Sequence, residues 1–292
     1  MTSEPPAGIA PRGIIFDLDG TLIDSSRDIA EAVNRMRGER QLPPLTVDQV
    51  DAMVGEGARV LVRRALSPLP AGTGRDEVRE ALASYLAHYA DVCLDSTRAY
   101  PGVPAMLAAL APSFSLGVLT NKGEALSRRI LDSLGLGRHL REVVGGDTLP
   151  TRKPNPGGLF LLADRLGTAA GRLLLVGDSD IDARSAEAAG CPFALALWGR
   201  PAAAREPARA AAATSPTQAA LAAVDEPAGP RWILTRPGDL PPAVGLPKDG
   251  DDANGGAAEA DGTAGAEGTA GADGTAGAQG TAGAPDTGNA AG

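Results

Sequence analysis

The chain has 292 residues and a formal charge of −9, with 38 Gly, 24 Pro and only 3% aromatic residues. Most of that charge belongs to residues 249–292, which carry Asp249, Asp251, Asp252, Glu259, Asp261, Glu267, Asp273 and Asp286 and no Lys or Arg, so the body is close to neutral. No basic cluster or aromatic platform argues for nucleic acid, so none is expected as a partner. No uninterrupted apolar run reaches the ~18 residues of a membrane span, and residues 1–13 hold no signal-peptide core. Cys93 and Cys191 stand far apart with no paired framework, which predicts a reducing, cytoplasmic setting.

The first predicted element is a buried strand, Ile14 to Phe16, which stops at Asp17-Leu18-Asp19-Gly20-Thr21. Two carboxylates one residue apart can converge on one spot, because side chains alternate with period two. Like charges held close resist double ionisation unless a cation or a shared proton intervenes. Asp-x-Asp-Gly could also be plain turn chemistry. A calcium loop needs Gly at its sixth position and a preceding helix, and neither is present. A glycosidase carboxylate pair finds no support downstream.

The pattern then turns helical. Ser25–Arg40, Thr46–Val54, Glu56–Leu66 and Asp76–Leu94 read as four helices, the last with Val78, Leu82, Tyr85, Leu86 and Tyr89 on one face. They make a compact insert over residues 24–98. Strand logic resumes afterwards. Helices are expected at Val103–Leu110, Glu124–Leu134, Gly158–Leu166 and Asp182–Ala189. Strands are expected at Ser115–Leu119, Val143-Val144, Arg172–Val176, Phe193–Trp198 and Trp232–Thr235, with a turn or helix at Asp239–Val244. Such alternation predicts an α/β fold, a doubly wound parallel sheet formed by residues 13–23 and 99–246. Residues 1–12 are expected to be flexible and 201–230 irregular. The near-repeats of Ala-(Asp/Glu/Gln)-Gly-Thr-Ala-Gly within 247–292 lack apolar side chains to offset ordering entropy, so that tail is expected to be disordered.

Ligands of open parallel sheets sit beyond the carboxyl ends of the strands. There the sequence places Asp17 and Asp19, Thr120 and Asn121, and Asp178, with Lys153-Pro154 in between. Each piece alone is weak. In this order, Asp17-Leu18-Asp19-Gly20-Thr21, Thr120-Asn121, Lys153-Pro154 and Gly177-Asp178-Ser179-Asp180-Ile181-Asp182 resemble the four motifs of the haloacid dehalogenase superfamily, over residues 13–245.

The resemblance implies a Rossmann-like core with an inserted helical cap and a Mg²⁺-dependent phosphatase. Asp17 would be the nucleophile that forms an aspartyl-phosphate and Asp19 the acid and base. Thr120 and Asn121 would donate to the phosphoryl group, with Gly20 and Thr21 beside it, and Lys153 would face its oxygens. Asp17, Asp178 and the Asp19 carbonyl would hold Mg²⁺, supported by Ser179 and Asp182. The strings 54–66, Gly145-Gly146-Asp147 with Arg152-Lys153-Pro154, and Val176–Ser179 with 188–192 look most like the superfamily's phosphoglycolate phosphatases. That branch implies 2-phosphoglycolate as substrate; the alternatives are a sugar-phosphate phosphatase, a pyrophosphatase, a phosphomutase or a non-catalytic phosphoester binder. Arg59 and Arg63, four apart on one helix face, could meet the substrate carboxylate or could simply be that helix's solvated face. The expected partner is a small phosphate ester, with no nucleic acid and no membrane, and the chain a monomer or homodimer.

Overall fold

The structure, a computed structural model, describes residues 11–67, 75–199 and 231–246. The expectations for residues 1–10, for 201–230 and for the tail from 247 lie outside the described residues.

Strand β1 (Gly13–Phe16) buries every residue. Ile14 and Phe16 pack in one hydrophobic cluster and Ile15 in a second, because alternate side chains point to opposite faces. A strand covered on both sides reads as a continuous apolar run, and burying each of these side chains contributes roughly 1.5–3 kcal/mol. Six strands form one parallel sheet: β1, β4 (Ser115–Leu119), β5 (Glu142–Val144), β6 (Leu173–Gly177), β7 (Phe193–Ala196) and β8 (Arg231–Leu234). Their order is β5-β4-β1-β6-β7-β8, and Ile15 is in register with both Gly117 and Leu175. The chain therefore builds outward from β1 to one side and then to the other, which opens a crevice where the order reverses, at the end of β1.

Helices α1 (Ser26–Gly38), α2 (Val47–Asp51), α3 (Ala58–Ala65) and α4 (Arg75–Val92) lie between β2 (Ile23–Asp24) and β3 (Arg98–Ala99). β2 and β3 form an antiparallel pair, Ile23 with Ala99 and Asp24 with Arg98. The sequence shows no sign of this pair, since two residues are too few for a period. Thr46 opens α2 with a capping box, its hydroxyl accepting from Gln49 N while Gln49 Oε1 accepts from Thr46 N. On α4 the buried face is Val78, Ala81, Tyr85, Tyr89 and Val92, whereas Leu86, expected on that face, is 44% exposed.

Asp28 ties the two ends of this helical segment together. Its carboxylate accepts from Ser96 N (2.9 Å), Thr97 N (2.8 Å), Thr97 Oγ1 (2.7 Å) and the Ser96 hydroxyl. Burial alone would raise its pKa, but these hydrogen bonds outweigh burial and hold the carboxyl below its ordinary 3.8. A depressed carboxylate stabilises the fold in full above that ordinary value and loses its contribution as pH falls below it. Asp28→Ala is thus expected to cost about 3 kcal/mol, because it strands buried donors. In urea unfolding the deficit should be constant at neutral pH and shrink as the pH drops below 3.8; a deficit that does not depend on pH would rule out this charge-based anchor.

The remaining helices are α5 (Val103–Leu110), α6 (Glu124–Ser133), α7 (Gly157–Arg165), α8 (Asp180–Ala188) and the short α9 (Leu240–Ala243). β7 ends at Ala196 rather than Trp198, whose indole N–H instead donates to Thr21 O at 2.8 Å. α8 starts two residues earlier than its periodicity predicts, because Ser179 caps it. Among the described residues no helix is long and apolar enough to cross a membrane.

Candidate active site

The site grows from strand ends. Asp17 N donates to Val176 O (2.9 Å), which seats Asp17 one residue past β1. The chain then leaves the strand in a tight turn in which Leu18 O accepts from Thr21, Leu22 and Ile23 N. The turn breaks the period-two alternation, so Asp17 and Asp19 line the same cavity but do not share partners. The Asp17 carboxylate pairs with Lys153 Nζ at 2.8 Å. The Asp19 carboxylate accepts from Ser25 Oγ and Lys122 Nζ, both at 2.5 Å. The two carboxylates thus face one cavity, as expected, but the turn at Leu18 gives them separate partners.

Gly20 has φ +84°, and a Cβ there would lie 2.6 Å from Asp178 Oδ2. Only glycine supplies both that backbone conformation and that close approach. Thr21 is fully buried, and its hydroxyl donates to Asp178 Oδ1 at 3.0 Å. Thr21 thus orients the late acid; its hydroxyl is spent there rather than on the cavity.

Asp182 is placed by local capping. Ser179 Oγ and Ser179 N donate to Asp182 Oδ2 at 2.5 and 3.2 Å, which fixes the carboxylate inside the first turn of α8. Its other oxygen accepts from Lys153 Nζ at 2.6 Å, so the lysine bridges Asp17 and Asp182. Lys153 itself is 4% exposed. Burial would lower the ammonium pKa, but the two carboxylates raise it well above the usual lysine value.

Asp17, Asp178 and Asp182 bring carboxylate oxygens within 4.8 Å of one another. Burial pushes Asp17 up; Lys153 pulls it down, Asp182 and Asp19 add to the rise, and its pKa lies at about 7. Asp178 is likewise raised, first by burial and then by Asp17 and Asp182. Acids that resist ionisation next to each other, two of them half-buried and Asp182 fully buried, offer hard oxygen donors that suit a divalent cation such as Mg²⁺. The carboxylate of Asp19 is not in this cluster, which leaves its backbone carbonyl for the metal role the resemblance gives it.

Thr120 lines the cavity at the end of β4, and its N–H donates to Val144 O. Asn121 lies beside it, but its side-chain amide donates to Gly55 O (2.8 Å) and Lys153 O (3.0 Å). Both amide hydrogens are thereby used, so any contact to a phosphoryl group falls to the backbone. The side chain instead joins the loop before α3 to the lysine loop. Gly145-Gly146-Asp147 supports this corner: Asp147 Oδ1 accepts from Glu124 N at 2.7 Å, and a Cβ on Gly146 would clash with Asn121 O.

Arg59 and Arg63 are exposed and do not line the cavity. α3 turns Ala58 and Leu61 inward instead, because the apolar side of this amphipathic helix packs and its charged side is solvated. Reading these arginines as carboxylate contacts is corrected by the helix's orientation. The sequence reading passed over Lys122, which lines the cavity with 8% of its side chain exposed. Neighbouring residues carry no signal for it: the chain bends at 121–122 after β4, with Lys122 N donating to Thr120 Oγ1, and Tyr89 meets the lysine from a distant helix. Tyr85 and Tyr89, read as packing residues, stack at 5.7 Å and also line the cavity.

Residues 14–196 match the haloacid dehalogenase-like hydrolase family. The chain is 44% identical over 194 residues to a phosphoglycolate phosphatase of Rhodospirillum rubrum, covering 65% of this chain and 80% of that one. It is 41% identical over 204 residues to phosphoglycolate phosphatase 1 of Pseudomonas aeruginosa, covering 68% and 75%. A crystal structure from Haemophilus somnus, described as a predicted phosphoglycolate phosphatase, superposes with a TM-score of 0.62 at 32% identity, covering 65% of this chain and 87% of that one. A Lactobacillus delbrueckii structure, 22% identical, shares the fold with a TM-score of 0.66 over 81% of this chain and 99% of its own. With strand ends, acidic cluster and buried lysine in the family's order, this chain belongs to the haloacid dehalogenase-like hydrolase family.

Proposed function

We propose that the chain is a Mg²⁺-dependent phosphatase that acts through an aspartyl-phosphate on Asp17, with 2-phosphoglycolate as its substrate. The observation that carries this reading is the bridge Asp17–Lys153–Asp182 beside Asp178, at the crevice of the parallel sheet. Asp17, Asp178 and the Asp19 carbonyl would hold the ion. When bound, Mg²⁺ supplies positive charge between an anionic nucleophile and an anionic phosphoryl group.

The protein's own groups do the rest. Lys153 holds the Asp17 carboxylate in one orientation at 2.8 Å and faces the oxygens of the incoming phosphoryl group. An Asp17 oxygen attacks phosphorus as the ester oxygen departs. Asp19, on the opposite side of the Leu18 turn, gives that oxygen a proton. It then takes a proton from the water that cleaves the acyl phosphate, which returns Asp17 to its carboxylate. Helices α1–α4 act as a lid, and Asn121 Nδ2, bonded to Gly55 O, latches that lid to the sheet.

The lid's share of the cavity wall is Ile29, Val54, Ala58, Leu61, Tyr85, Leu86 and Tyr89 with the backbone of Gly55 and Gly57. Apart from two phenol hydroxyls, those side chains cannot replace the hydration of a polyhydroxylated sugar, which favours a short ester. The 40–44% identity to proteins named phosphoglycolate phosphatase points to the same substrate. Both buried cysteines carry free thiols, which fits a reducing cytoplasm.

A panel of phosphate esters assayed with and without Mg²⁺ tests the reading. Phosphoglycolate should be turned over fastest, and a chelator should take hydrolysis to background. A sugar phosphate or pyrophosphate hydrolysed far faster would sink the substrate assignment. Saturating Mg²⁺ should also stabilise the protein by about 2.7 kcal/mol at a hundredfold excess over Kd, visible as a raised Tm. A Tm indifferent to Mg²⁺ would contradict the acidic cluster as its site.

A further inference from the structure

We propose that Lys122 is the specificity residue that selects esters bearing a carboxylate next to the phosphate. The proposal rests on the phosphatase reading above and adds to it the group that receives the far end of the substrate.

A short carboxylated ester carries negative charge at both ends. One end would be met by Lys153 and by the cation that the acidic cluster would hold. The other end needs a second cation within the same enclosure, since an unpaired buried carboxylate is costly. Arg59 and Arg63 do not reach the cavity. Among the described residues that line it, Lys122 is the only one with a cationic side chain. Its ammonium lies 2.5 Å from Asp19 Oδ1, 2.7 Å from Tyr89 Oη, and 4.9 Å from the centre of the Tyr89 ring. The lysine therefore points inward, supported on one side by an aromatic face of the lid and held on the other by the proton-transfer residue.

This placement couples recognition to chemistry. Without a substrate anion, the ammonium occupies Asp19. An arriving carboxylate offers the ammonium a new counter-charge and releases Asp19 to the ester oxygen. An ester with a neutral tail gives Lys122 no reason to move, so Asp19 stays engaged and the proton transfer is slow. Specificity then arises in turnover as well as in binding.

The test compares kcat/KM for 2-phosphoglycolate and ethyl phosphate, which differ in the carboxylate, in wild type, K122M and K122R. The wild-type ratio should exceed one, and K122M should lower that ratio by about thirtyfold or more, the effect of removing one partner of a buried charge pair. K122R, which keeps the charge, should retain more of the ratio than K122M. Using a ratio cancels any general damage that slows both esters alike, and K122R covers the case in which K122M does not fold. If wild type prefers phosphoglycolate and both variants keep that preference, Lys122 is not the selector and the proposal falls while the proposed function stands. If wild type hydrolyses both esters equally or neither, the substrate reading itself fails and takes the proposal with it.

Discussion

Asp17→Asn is expected to abolish turnover, by on the order of 10⁴-fold or more, as loss of a covalent nucleophile does. The amide has nearly the same shape but a much weaker nucleophile, so ground-state contacts survive while the acyl-phosphate does not form. Acid-quenched reactions should yield phosphorylated wild type and no phosphorylated variant. Loss of fold would be the trivial explanation, and the electrostatics argue against it. Asp17 is a partly buried carboxyl whose pKa is pushed to about 7, so its ionised form is disfavoured relative to an exposed aspartate in the metal-free protein. The asparagine removes one negative charge from a cluster already crowded with Asp178 and Asp182, and Lys153 keeps its 2.6 Å partner. The metal-free variant should melt no lower than wild type. Substantial residual hydrolysis with a normal melting curve would overturn the nucleophile assignment.

Lys153→Met is expected to produce the largest loss of stability. The methionine fills the same volume but leaves Asp17 and Asp182, paired at 2.8 and 2.6 Å, facing each other beside Asp178. Removing one partner of a buried ion pair typically costs about 3–5 kcal/mol, because the remaining charge is stranded. Urea unfolding without metal should show that loss, and turnover should vanish with it. Two further measurements separate charge from packing. Mg²⁺ should recover part of the loss by replacing the missing positive charge. The double variant K153M/D182N should unfold at higher urea than K153M alone, because sites in contact are not additive. A double variant no more stable than the single would show that packing, not charge, carries the effect.

Much of the architecture was legible because apolar runs and caps are local signals. Ile14 to Phe16 reads as a doubly covered strand without reference to any other residue. Ser115–Leu119 and Val103–Leu110 coincide with their sequence ranges, since turn residues bound both. The β2–β3 pair was not legible, because its paired residues lie 74 and 76 positions apart in the chain and each strand is two residues long. The same limit hid Lys122, whose importance depends on Tyr89 approaching from the lid. It also led to the assignment of Arg59 and Arg63, since a helical wheel shows which residues share a face but not which way the face turns.

The residue order alone determined the succession of strands and helices, and it put Asp17, Thr120 and Asp178 at strand ends, because alternation and capping are written in neighbouring residues. Only tertiary structure decided which of the acids share a cluster, that Lys153 bridges two of them, and that Asn121 spends its amide on Gly55 and Lys153. Those facts depend on distances between residues far apart in the chain, and burial makes such distances count energetically.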